Sequence, residues 1–316
     1  MKRSAYYDNV KLLLIFLVLL GHFCEITGSN SAYAKAVYFI IYIFHMPLFS
    51  FCAGLLCNYR DGRKVYHRCT GYILLYLLMK ITEMILVAIL YGAWRFDFVN
   101  EGGVPWFMLA MSVWILLAYL TKDMNRPVLL VISVLTALAL GYDYSMTTQF
   151  SISRIIVFWP FFLAGTMMDR DKIQKTAQKK AVKNAGALFL IAAVVLVFLF
   201  YRKVSFIRPL LSGKKAYDVL KGRWINYGIV IRFGIYILST VFSMAIMAIV
   251  PLKEHFFTKW GSRTLAVYFL CLPVYLITAR YFADLRLWQY LVISAVLIPV
   301  CGNSVLNSLL GKLFKQ

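Results

Sequence analysis

The sequence predicts an all-α polytopic membrane protein with about ten transmembrane helices and both termini cytoplasmic. Three observations carry that expectation. Hydrophobic residues make up 62% of the 316 positions and mean hydropathy is +0.74, more apolar surface than a soluble domain of this size can hide. Apolar runs long enough to span recur along the whole chain. Basic residues concentrate in alternate connections. No stretch is long and polar enough for a separate soluble domain, so residues 1–316 read as one domain.

The spans are expected near 10–28, 36–57, 70–92, 106–121, 127–141, 152–168, 185–201, 227–250, 264–281 and 288–310, with the fourth and fifth short. The first begins behind Lys2 and Arg3 and resembles a signal peptide ending near Ala32-Tyr-Ala34. The distance from its apolar core to such a cut is long, so a retained helix is the better reading. With the N-terminus inside, the cytoplasmic segments hold 19 lysines and arginines. Four outer loops hold only Lys35, Arg95, Arg280 and Arg286 between them.

The segment 202–226 breaks this pattern. It places Arg202, Lys203, Arg208, Lys214, Lys215, Lys221 and Arg223 outside against one acid, Asp218. It reads as a miscounted helix, as a segment folded onto anionic headgroups, or as a surface for an anionic partner. The formal net charge of +21 follows mostly from the inner loops and gives no support to nucleic-acid binding.

Ionisable residues inside the spans are functional candidates because burying them in a bilayer is costly. In the first span ten residues separate Lys11 from His22, nine of them large and apolar. A helix would set the two about 16 Å apart along its axis. Glu25 follows His22 by three residues, on the same helical face, where a carboxylate can orient an imidazole. His45 lies in the second span, about 6 Å deeper than His22, and Pro47 frees a backbone carbonyl nearby. Each histidine could instead lock helix packing through a hydrogen bond.

Lys80 and Glu83 read as a neutralising pair. Arg154 and Arg232, at the outer starts of their spans, could meet an anion or snorkel to the interface. The many aromatics at helix ends read as an interfacial belt. The six cysteines, Cys24, Cys52, Cys57, Cys69, Cys271 and Cys301, form no C-x-x-C pair and read as reduced buried side chains. No metal constellation, G-x-S-x-G, Walker loop or dinucleotide fingerprint is present.

Five segments in order resemble the membrane acyltransferase 3 family, and most closely its fucose 4-O-acetylase-like branch. They are Asp8, Lys11 and His22 in the first span, Phe44-His45 through Gly54, Pro105-Trp106-Phe107, Phe158-Trp-Pro160 through Gly165, and Gly261 through Thr264, Tyr268 and Cys271. Lys11 stands where the wider family usually has arginine, and Cys271 where relatives often have histidine. The resemblance covers nearly the whole chain.

It implies ten helices in a cell membrane, bacterial and multi-pass. It also implies transfer of an acyl group, usually acetyl, from cytoplasmic acyl-CoA to a hydroxyl of an extracytoplasmic or lipid-linked carbohydrate, without a metal. In that reading Lys11, with Asp8 beside it, binds acetyl-CoA. His22 accepts the hydroxyl proton, Glu25 orients it, His45 shares the cavity and Arg154 or a backbone amide meets the oxyanion. An acyl-histidine relay stays open. A transporter or flippase using the same buried groups, and a non-catalytic sensor, are the rival readings.

Overall fold

Helices form at all ten apolar runs in the computed structural model, which describes residues 3–27, 31–94, 99–100, 103–145 and 149–314. Lys2, Arg95 and Lys315 of the charge count lie outside these residues. The helices are α1 (Ala5–Thr27), α2 (Ala32–Leu55), α3 (Gly62–Tyr91), α4 (Trp106–Leu120), α5 (Arg126–Ala139), α6 (Ile152–Met167), α7 (Arg170–Ala177), α8 (Lys180–Val204), α9 (Arg208–Leu211), α10 (Gly228–Ile249), α11 (Thr258–Gly261), α12 (Thr264–Tyr281), α13 (Leu287–Cys301) and α14 (Ser304–Lys312). Short 3-10 turns surround α9. Among the described residues the only extended pairing is an isolated bridge between Asn100 and Gln149.

Among the described residues six helices are long and apolar enough to cross a bilayer, and up to eight if α6–α7 and α13–α14, bent by 95° and 64°, each count as one span. α4 and α5 have 15 and 14 residues, about 22 Å of helix against a hydrocarbon layer of about 30 Å. α3 starts before its apolar run, and polar N-caps serve both it and the polar helix α7. The Asp61 carboxylate accepts from the amides of Arg63 and Lys64, and Asp169 accepts from Lys172.

α1 and α2 form the centre. α1 packs on α2, α11, α12 and α13, while α2 packs on α6, α8 and α10. Two thirds of the α2 span (67%) is buried, against 6% of the span that contains α8. The outer helices therefore turn apolar side chains such as Leu188, Ile191 and Leu199 outward, as lipid contact requires. The centre instead holds one contiguous apolar core that draws on α1, α2, α4, α6, α10 and α12.

The crossing of α2 and α6 is backbone against backbone. A Cβ added to Gly54 would strike the Phe162 carbonyl, and one added to Gly165 would strike the Phe51 carbonyl. Small residues permit this approach, which van der Waals contact rewards inside a membrane. Two of the segments that carry the resemblance thus meet as one helix contact. Gly261 does the same against the backbone of Asp8, joining α11 to the start of α1. Pro47 leaves the carbonyl four residues back without its helical donor, and that carbonyl, Ile43 O, accepts from Ser239 Oγ of α10 at 2.5 Å.

Candidate active site

Two cavities lie on either side of one tyrosine. The smaller, about 40 Å³, is lined by Val18 and His22 of α1, Tyr42, His45 and Met46 of α2, and Gly103 and Trp106 at the start of α4. Arg154 of α6, Ser212 and Lys214 after α9, and Tyr268 of α12 complete it. That is room for one or two waters. The larger, about 460 Å³, is lined by Lys11, Arg68, Phe49, Phe107 and Tyr268 among others. Tyr268 lines both, Trp106 faces one and Phe107 the other. The Tyr268 hydroxyl donates to the Val104 carbonyl, which pins α12 to the segment that leads into α4.

In the small cavity His22 Nδ1 lies 3.3 Å from Glu25 Oε2. The other carboxylate oxygen accepts from the Tyr42 hydroxyl at 2.9 Å, with the Tyr38 hydroxyl at 3.5 Å. Glu25 is thereby fixed from two helices. Donation from His22 Nδ1 to this carboxylate leaves Nε2 with the lone pair, the tautomer a proton acceptor needs. His45 Nδ1 is 2.8 Å from the Ile41 carbonyl. A carbonyl only accepts, so here too Nε2 carries the lone pair. The partners differ in kind. A carboxylate stabilises the imidazolium that forms when His22 takes a proton, whereas a neutral carbonyl mainly fixes the His45 ring.

Arg154 is buried at 3% exposure and does not snorkel. Its guanidinium sits 4.4 Å over the Trp106 ring and donates to Ser151 Oγ at 2.9 Å. Phe150 and Ser151, just before it, adopt left-handed φ of 45° and 54°, strained for non-glycine residues and held beside a candidate site. Arg232 is equally buried but serves the backbone. It donates to the carbonyls of Ala137 and Lys215 and lies over the Tyr217 ring.

At the opposite end of α1, Asp8 is 3% exposed and bridges two cations, Lys11 Nζ at 2.7 Å and Arg3 Nε at 2.6 Å. Lys11 and Arg68 give the large cavity its positive charge, while most of its wall is apolar or aromatic. This suits a thin chain that ends in phosphates. Lys80 Nζ pairs with Glu83 Oε2 at 3.1 Å, away from both cavities. Cys271 is buried and lines neither cavity, and all six cysteines are free thiols. Among the described residues no group of His, Cys, Asp or Glu could hold a metal.

The structure therefore gathers His22, Glu25, His45 and Arg154 at one end and sets Lys11 with Asp8 at the other. The sequence singles out Trp106 and Tyr268 only as members of motifs and Lys214 only as one of seven cations, and gives no signal for Tyr42. The aromatic belt must be corrected accordingly. Trp94, Tyr281 and Trp288 are exposed as a belt requires, but Trp106 and Tyr268, at 7% and 5% exposure, are inside. Their position in the ordered segments was the available signal.

A family model described as "Acyltransferase domain" matches residues 4–302. The chain is also similar to nodulation protein NolL of Sinorhizobium fredii (strain NBRC 101917 / NGR234), with 28% identity over 178 residues, 52% of this chain and 48% of that protein. The matched stretch thus spans about half the length of that relative. No solved structure matches.

Proposed function

Because the chain belongs to the acyltransferase family whose model spans residues 4–302, we propose that it is a multi-pass bacterial plasma-membrane enzyme that moves an acetyl group from cytoplasmic acetyl-CoA to a carbohydrate hydroxyl on the other side. Both termini are cytoplasmic in this reading, and all ten apolar runs cross, the last as the bent pair α13–α14. The observation that carries it is the single wall between two unlike cavities. Lys11 and Arg68 hold the CoA phosphates in the roomy one, and the thioester arm points towards Tyr268. The acceptor hydroxyl enters the tight one, beside His22.

Chemistry then follows from the residues present. The hydroxyl gives its proton to His22 Nε2 as its oxygen bonds to the thioester carbonyl carbon. Glu25 stabilises the imidazolium, and Arg154, aligned by Trp106, faces the developing oxyanion. The carbon–sulfur bond breaks, and the proton passes from His22 to the departing thiolate. Tyr268 must yield for thioester and hydroxyl to meet, and its position at rest keeps water from the thioester. Asp8 and Glu25 are positioning residues, and His22 is the catalytic base.

The test is transfer of radiolabelled acetyl from acetyl-CoA by purified protein in nanodiscs. His22→Ala should lower transfer by about 10²–10⁴ while its thermal unfolding matches the parent. Near-parental transfer by the folded variant would overturn the assignment. A transporter would neither bind acetyl-CoA nor cleave its thioester.

A further inference from the structure

We propose that the segment from Arg202 to Arg223 selects an acceptor bearing a phosphate or carboxylate, with Lys214 holding that anionic group beside the hydroxyl to be acylated. The proposal rests on the acyl-transfer reading and names its substrate class.

The segment folds over the His22 end of the bundle and is held there from below. Arg232 donates to the Lys215 carbonyl at 2.8 Å, and Ser153 Oγ donates to the Gly213 carbonyl at 2.7 Å. The Tyr217 hydroxyl donates to the Leu138 carbonyl at 2.7 Å, and burial pushes this phenol up to about 12, so it stays a donor. Gly213 has φ of +70°, and a Cβ there would also press on the Phe158 ring. That left-handed turn brings Ser212 and Lys214 into the cavity lining.

Seven cations and one acid divide into two groups by direction. Arg202, Lys203, Lys215, Lys221 and Arg223 are exposed, with exposed Trp224 and Tyr227 among them. Interleaved cations and aromatics suit the headgroup layer. Lys214 and Arg208 are half-buried. Lys214 turns inward and lines the small cavity with His22 and Arg154. Arg208 lies 4.4 Å over Tyr38, which stacks on Tyr42 at 3.7 Å, which in turn meets His45 at 4.6 Å. Among the described residues the lining of the small cavity includes Lys214 and Arg154 and no carboxylate. A phosphate or carboxylate one sugar away from the reacting hydroxyl complements that positive lining.

The experiment compares two lipid-tailed acceptors with the same sugar, a neutral glycoside and a glycosyl phosphate, in nanodiscs with and without anionic phospholipid. The parent should prefer the glycosyl phosphate in both membranes. Lys214→Gln should lose at least about tenfold of that preference in KM, Lys214→Arg should restore most of it, and outward-facing Lys215→Gln should keep it. Equal effects of Lys214→Gln on both acceptors would overturn the proposal. So would a preference that exists only with anionic phospholipid, which assigns the cations to headgroups.

Calorimetric binding of the glycosyl phosphate without acetyl-CoA separates the two readings. Weaker binding by Lys214→Gln, in a protein that transfers no acetyl, would sink acyl transfer and keep the anion site. Equal binding with intact transfer would do the reverse.

Discussion

The two cavities that share Tyr268 differ more than tenfold in volume, about 460 against about 40 Å³, and differ as much in chemistry. The large one has two cations in a wall that is otherwise mostly apolar. The small one packs two histidines, an arginine and a lysine around room for one or two waters. Space suits a long flexible substrate that must be bound. Tightness suits a transition state, where preorganised charge acts without reorganisation. In the proposed reaction, binding and chemistry are separated by about half the length of α1, with Tyr268 between them.

The comparison can be broken from either side. The largest effect is expected in the small cavity. Glu25→Gln should lower kcat about a hundredfold, because the imidazolium loses its carboxylate, and should leave KM for acetyl-CoA within about twofold. A rise in KM for acetyl-CoA with kcat intact would put the donor, not the base, at that end. At the wall, Tyr268→Ala should raise the ratio of acetyl-CoA hydrolysis to acetyl transfer by about tenfold, read as free acetate without acceptor. An unchanged ratio would mean that Tyr268 does not divide the two spaces. In the large cavity Lys11→Met should raise KM for acetyl-CoA about tenfold with a small change in kcat, and Lys11→Arg should restore it. An effect confined to kcat would move Lys11 out of donor binding.

The fold was legible because lipid imposes a pattern that polar loops interrupt, so each apolar run became helical, the last as the bent pair α13–α14. Boundaries were less legible. α3 begins at Gly62 and α8 at Lys180, several residues before their apolar runs; Asp61 caps the early start of α3, and the start of α8 runs through the basic residues Lys180 and Lys183 with no side-chain cap. Within the site, His22, Glu25, His45 and Arg154 stood out as ionisable residues in apolar spans. Trp106 and Tyr268 did not, since aromatics make up 16% of the chain and most serve packing or the interface. Lys214 was one basic residue among seven, and only the turn at Gly213 distinguishes it. Gly54, Gly165 and Gly261 were visible as parts of motifs, but their reason, backbone contact with another helix, is tertiary.

The central claim is that donor and acceptor occupy opposite faces of the membrane, divided by Tyr268. Vesicles carrying the protein in one known orientation test it most directly, with labelled acetyl-CoA sealed on one side and acceptor on the other. Transfer should occur only with acetyl-CoA on the Lys11 side and acceptor on the His22 side. Acetylation with acetyl-CoA confined to the His22 side would contradict it.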